Sequence, residues 1–173
     1  TASLSGVFGL GLCPEALDPT DDNVYVAATW AHRIVKLRKS DLMEVARIGR
    51  DIGSRAVGGT PVPNLTNEPI GSQPIFFYPH DAVADLDSIY VSDTYNHRIL
   101  KLKKSDGSIV AKLTLSSDPV ASTSGGSWGL AVDDTYLYYS YGNIMYKVNK
   151  NTFTNPIPGS SGGSVSIDCD NDY

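Results

Sequence analysis

Apolar, β-branched and aromatic residues gather in four short runs between Pro79 and Leu115, and the positions between them are polar or turn-forming. The runs are Ala82–Ala84, Ile89–Ser92, Arg98–Lys103 and Ser108–Leu115. They are separated by Asp85-Leu86-Asp87-Ser88, Tyr95-Asn96 and Ser105-Asp106-Gly107. Such runs suit a pleated, packed surface, and Asp, Asn, Ser and Gly mark the turns, so the segment predicts four strands, a to d.

The same pattern occurs more than once. Shifting the chain by 65 positions lays residues 14–46 on 79–111 without a gap. Among the identities are Pro14/Pro79, Tyr25/Tyr90, Thr29/Thr94, His32/His97, Arg33/Arg98, Lys36/Lys101 and Lys39/Lys104. A looser third copy matches Asp133 to Asp85, Tyr138 to Tyr90 and Lys147 to Lys101, with its strand d expected near Pro156-Ile157-Pro158. Ser124-Gly125-Gly126-Ser127 recurs as Ser161-Gly162-Gly163-Ser164, and the shift of 37 pairs Asp133 with Asp170. That places the opening strand of a fourth copy at Ser164–Tyr173. The copies are residues 11–48, 78–115, 127–158 and, in part, 163–173; residues 49–77 are an exposed connection punctuated by Gly58-Gly59, Pro61, Pro63, Pro69 and Pro74. A four-stranded unit that cannot bury both faces alone predicts an all-β propeller of three blades and the start of a fourth.

Tyr78-Pro79-His80-Asp81-Ala82-Val83-Ala84-Asp85, followed by Ile89-Tyr90-Val91-Ser92-Asp93-Thr94-Tyr95-Asn96-His97-Arg98-Ile99, closely resembles an NHL repeat. The first copy departs from it with Ala28 at the position of Asp93, and the third has Asn143-Ile144 in place of His-Arg. The resemblance implies a ring, usually of six blades. The chain is therefore expected either to continue past residue 173 or to assemble with further copies of itself. Pro79-His80 also resembles the entrance to strand a in the peptidyl-hydroxyglycine amidating lyases, where such histidines bind zinc in the central channel. By the same alignment, the counterparts of His80 are Glu15, Trp128 and one of Gly163, Ser164 or Val165.

Candidate chemistry is sparse. His32-Arg33 and His97-Arg98 recur at one repeat position, as a structural device does and an active site does not, so Arg98 is read as the partner of Asp93 across the b–c turn. Asp168, Asp170 and Asp172 alternate like calcium-loop carboxylates, and the earlier Asp clusters read as ordinary turns. Lysines and arginines collect at the c–d turns, a rim that RNA could use, but the net charge of −5 opposes a nucleic-acid partner. There is no phosphate loop, no nucleophile elbow and no stretch of membrane-spanning length. Asn64-Leu65-Thr66 is a glycosylation acceptor and points to an extracellular protein. Cys13 and Cys169 are expected on opposite blades, too far apart to bond. The residues thus describe a non-catalytic extracellular scaffold that binds a protein or further copies of itself and names no cofactor. The alternatives are a fragment of a metal-dependent lyase or hydrolase using His80, and an RNA-binding propeller.

Overall fold

The computed structural model describes residues 6–50, 68–115, 127–141, 144–154 and 165–166. Among these residues, twelve strands form three antiparallel sheets of four. The first sheet holds β1 (Val7–Leu12), β2 (Asn23–Ala28), β3 (Arg33–Arg38) and β4 (Glu44–Ile48) in sequence order. The second holds β5 (Pro79–Ala84), β6 (Ser88–Asp93), β7 (Arg98–Lys103) and β8 (Ile109–Thr114). The third holds β9 (Ser127–Val132), β10 (Tyr136–Tyr141), β11 (Ile144–Asn149) and β12 (Val165–Ser166).

Two expectations about blade limits are corrected. The ungapped repeat placed the first strand after Cys13, whereas β1 ends at Leu12 and pairs with β2 through Leu10–Val26 and Leu12–Val24. The residues that follow are the a–b turn instead, tied by the amides of Leu17 and Asp18 to the Pro14 carbonyl. Val165–Ser166 was expected to open a fourth blade, but it pairs antiparallel with Ile144–Met145 as the outer strand of the third sheet. An outer strand needs only one neighbour, so it can lie far along the chain from β11. The expected strand at Pro156–Pro158 and the Asn64 acceptor lie outside the described residues.

Sheets pack face to face. Tyr25, Ala27, Ile34 and Ile48 of the first sheet meet Ile89, Val91, Leu100 and Leu102 of the second in one buried cluster. Tyr90, Ile99 and Leu113 meet Leu137, Tyr139 and Val148 of the third in another. A smaller cluster, Val26, Ala28, Val35 and Leu37, lies on the other face of the first sheet. The innermost strands approach closely because β1 carries glycine at two inward positions. A Cβ on Gly9 would lie 2.1 Å from the His80 carbonyl oxygen, and one on Gly11 1.6 Å from that of Ala82.

Hydrogen bonds repeat across the two sheet junctions. Thr29 Oγ1 donates to the Pro79 carbonyl at 2.6 Å, and Thr94 Oγ1 donates to the Ser127 carbonyl at 2.6 Å. Pro79 and Ser127 begin their respective inner strands, so the recurring threonine joins each blade to the next. Asp81 adds a second link by accepting from the Leu130 amide at 2.9 Å, and burial raises its carboxyl pKa.

The connection between the first two blades is not wholly an exposed excursion. Ile75, Phe76 and Phe77 are buried, with Phe76 inside the first cluster, and Glu68 is 6% exposed. Arg98 explains the burial of Glu68: Nη1 donates to Glu68 Oε2 at 2.8 Å and Nη2 to Oε1 at 3.1 Å. No described helix is long and apolar enough to cross a membrane.

Candidate aromatic surface and interblade contacts

Each inner strand is irregular at its second residue. The register of β1 shifts between Val7 and Gly9, that of β5 between Pro79 and Asp81, and two residues of β9, Trp128 and Gly129, face Ser140 alone. Such bulges redirect a side chain out of the pleat. The three redirected residues are Phe8, His80 and Trp128. Glu15, the counterpart of His80 by ungapped alignment, instead lies exposed in the turn after β1.

The three side chains touch. Phe8 stands edge-on to His80 at 5.2 Å between ring centroids, and Trp128 edge-on at 4.4 Å on its other side. His80 also stacks with Tyr95 at 6.2 Å, and Tyr95 meets Tyr78 at 4.9 Å. Trp30, the repeat counterpart of Tyr95, packs edge-on to Tyr78 at 6.2 Å. The result is a continuous aromatic surface. His80 is buried at its centre, while Phe8 and Trp30 are each 61% exposed, Tyr95 54% and Trp128 47%.

His80 shows a ring nitrogen 3.0 Å from the Tyr78 carbonyl. Burial lowers its pKa, outweighing that bond, and so favours the neutral ring. Among the described residues, the one cluster of three metal-ligating side chains is Cys13, Asp18 and Asp21, which does not include His80. Lys104 already occupies the acidic part of that cluster, and Cys13 is a buried free thiol. A zinc site at His80 has no described ligand at the counterpart positions Phe8 and Trp128.

The repeated His-Arg pairs separate into different roles. His32 and His97 both end a short 3-10 turn with φ of 54° and 50°, in the left-handed region. That conformation suits Asn, Asp and His among non-glycine residues, and it accounts for the recurrence. His32 is buried and its Nδ1 accepts the Tyr78 amide at 3.0 Å, whereas its Nε2 has no hydrogen-bond partner among the described residues. His97 is exposed, so a buried side chain is not what the two recurring histidines share. Arg98 is 2% exposed and places Nε 2.7 Å from Asp93 Oδ2. Burial alone would raise the Glu68 carboxyl, but the Arg98 bonds and the Ile75 amide hold it below its ordinary value. Arg33 is half-buried, with Ala28 where Asp93 would be.

Sequence reasoning missed how the acidic turns and the lysines meet. Asp21, Asp85 and Asp133 each accept from a tyrosine of their own sheet: Tyr25 at 2.9 Å, Tyr90 at 2.9 Å and Tyr138 at 2.8 Å. A lysine of the next sheet then enters. Lys104 lies 2.8 Å from Asp21 and 2.9 Å from Asp18, and Lys150 lies 3.0 Å from Asp85. Burial works against the Lys104 charge, yet the two carboxylates outweigh it and raise the pKa. Asp18 is held down at about 2, first by the Thr20 hydroxyl and then by Lys104. Lys36, Lys101 and Lys147 lie over the rings of Tyr25, Tyr90 and Tyr136 at 5.9, 5.8 and 4.6 Å. Much of the expected basic rim is therefore engaged within the protein. The carboxylates of Asp168, Asp170 and Asp172 lie outside the described residues.

The NHL repeat family matches residues 76–102, the segment that holds β5, β6 and most of β7. No curated protein matches the chain by sequence. Among solved structures, Kuenenia stuttgartiensis hydrazine synthase aligns with a TM-score of 0.60 at 8% identity, over 97% of this chain and 38% of that one. A streptogramin B lyase aligns at 0.52 and 15% identity, over 99% and 43%. Hsv2 from Kluyvelomyces marxianus aligns at 0.52 and 5% identity, over 94% and 38%. At these identities the likeness concerns the fold. The chain spans about two fifths of the length of each of these proteins.

Proposed function

We propose that this chain, a β-propeller segment with an NHL repeat at residues 76–102, is a non-catalytic protein-binding module that works outside the cell. The observation that carries the binding role is the aromatic surface formed by Phe8, Trp30, Tyr95 and Trp128 around His80. Large rings with low rotamer entropy, half in water and anchored to strand ends, are what interface hot spots are made of. The net charge of −5 favours a basic partner segment, whose Arg or Lys side chains can lie over exposed rings. The Asn64-Leu65-Thr66 acceptor supports the extracellular setting.

The lyase-like alternative draws no support from the neighbours of His80, which are aromatic rather than metal-ligating. The RNA-binding alternative loses ground because Lys104 and Lys150 turn inward onto carboxylates.

Binding of immobilised arginine-bearing peptides, compared with acidic peptides of equal length, tests the reading. The unaltered chain should prefer the arginine-bearing set. Trp30→Ala with Tyr95→Ala should weaken that binding more than about tenfold, since a hot-spot ring contributes about 2 kcal/mol or more. Equal binding of both sets, or a double variant that binds as well as the parent, would sink the proposal.

A further inference from the structure

Tyr78 immediately precedes the inner strand of the second blade and stands in the middle of the aromatic surface. Its φ of 48° lies in the left-handed region, which a bulky side chain occupies only when its surroundings hold it there. Two imidazoles hold it, one at each end of the residue. The Tyr78 amide donates to His32 Nδ1 at 3.0 Å, and the Tyr78 carbonyl lies 3.0 Å from His80 Nδ1. The Tyr78 ring in turn meets Trp30 at 6.2 Å and Tyr95 at 4.9 Å, two of the exposed rings of that surface.

The two imidazoles respond to a proton in opposite ways. A carbonyl only accepts, so His80 Nδ1 carries the hydrogen of the neutral ring and keeps that bond when the ring becomes cationic. An amide only donates, so His32 Nδ1 is bare, and the hydrogen of its neutral ring sits on Nε2. That Nε2 is buried with no hydrogen-bond partner among the described residues. Protonating His32 in place would set an N–H against the Tyr78 N–H and leave a buried cation with neither hydrogen bonded. The rings packed on His32 are Phe77, stacked at 5.5 Å, and Tyr78, edge-on at 4.6 Å, and the Tyr78 phenol is the one titratable group between them. Burial lowers the His32 pKa, so the proton enters only when the imidazole and the Tyr78 amide part.

We propose that His32 and the Tyr78 amide form an acid-sensitive latch: a proton on Nδ1 opens it, frees Tyr78 from its left-handed conformation and unseats Trp30 and Tyr95. The contact joins the first blade to the second, inside the described array rather than at an end of it. The latch is closed above the ordinary histidine value of 6.5 and weakens as pH falls below it, because the open form takes up the proton first. Its consequence, release of a bound basic segment on acidification, rests on the proposed binding role of the aromatic surface; the latch itself does not.

Hydrogen exchange at the Tyr78 amide of the purified chain, followed between about pH 7.5 and 5 and corrected for the intrinsic rate, reads the latch directly. Protection should fall several-fold, and by at most about thirtyfold, since one proton shifts the opening tenfold for each unit below 6.5. The amides of β6 should keep theirs. His32→Asn suits the left-handed position and offers a side-chain oxygen that does not titrate, so Tyr78 protection should become flat with pH. His80→Asn removes the other titrating ring and should leave the fall in place. Arginine-bearing peptides should leave the parent over the same range and stay on His32→Asn. Tyr78 protection that ignores pH, falls equally in His32→Asn, stops falling in His80→Asn or falls together with the β6 amides overturns the latch. A latch that opens while the peptides stay bound overturns the release. Peptides that bind at no pH sink the binding role alone, and the exchange data still decide the latch.

Discussion

Replacing Arg98 by methionine removes one guanidinium that serves two buried carboxylates. The side chains of Arg98, Asp93 and Glu68 are 2%, 0% and 4% exposed, so water cannot take over. Removing one partner of a buried ion pair costs about 3–5 kcal/mol, because the remaining charge stays desolvated. Here the lower end applies. Asp93 keeps the Phe77 amide at 2.7 Å and Asn96 Nδ2 at 2.8 Å, and Glu68 keeps the Ile75 amide at 2.8 Å. A loss of about 3 kcal/mol, with a urea slope of about 1–3 kcal/mol/M, lowers the unfolding midpoint by about 1–3 M. Urea titration followed by far-ultraviolet circular dichroism reads that shift directly. A pH arm identifies the cause. Arg98 holds the Glu68 pKa down in the parent; without it, burial is opposed mainly by the Ile75 amide, and the pKa moves up. The variant should therefore recover part of its deficit on acidification, as the stranded carboxylates take up protons in the folded chain. Arg33→Met should lose less, since Arg33 is only half-buried. A loss under about 1 kcal/mol for Arg98→Met, or one no larger than that of Arg33→Met, would refute the reasoning.

Thr29→Val should cost about 1 kcal/mol by deleting the bond to the Pro79 carbonyl, and Thr94→Val less, because Ser92 Oγ also donates to the Ser127 carbonyl; urea midpoints rank the two. His97→Asn should leave stability nearly unchanged, whereas His97→Val should cost about 1 kcal/mol or more, since a β-branched residue is strained at φ near 50°; thermal melts separate the two. Acid should weaken the blade junctions. The Asp18, Asp21 and Asp85 carboxyls are depressed in the folded chain, so their contribution is present above the ordinary value of 3.8 and is lost as pH falls towards about 2, the Asp18 value. A urea midpoint that stays flat over that window would contradict this.

The repeat made the strands of the second blade legible because their pattern is local. Ile89–Ser92 is buried throughout and Arg98–Lys103 over most of its length, each a short run rich in apolar residues between turn residues, and any window across them carries that signal. The first blade defeated the same reading for a physical reason. Its a–b turn is longer, so an ungapped shift matched Pro14 with Pro79 and carried Glu15 onto His80. The true inner strand, Val7–Leu12, alternates glycine with large residues because Gly9 and Gly11 must let β5 approach, and that need is set by a strand some 70 positions away. Phe8 was hidden with it, and with Phe8 the aromatic surface.

Contacts across blades were the least legible. Glu68 sits in a connection rich in glycine and proline, with no periodicity to mark it as buried, and only the fold brings it to Arg98. The c–d lysines looked like a solvated rim because neighbouring like charges usually are one. What decides the matter is that each blade turns its a–b aspartate and tyrosine towards the following blade, so a lysine at one repeat position meets an acid at another, one blade earlier. Both positions were visible in the repeat alignment, but their pairing was not, because alignment by shift compares equivalent residues and this contact joins non-equivalent ones. The same logic applies to any repeat fold whose neighbours stack in sequence order. Charges that alternate in sign between two repeat positions are candidates for junction contacts before they are candidates for ligand sites. In this chain that rule removes Lys104 and Lys150 from the surface available to a polyanion.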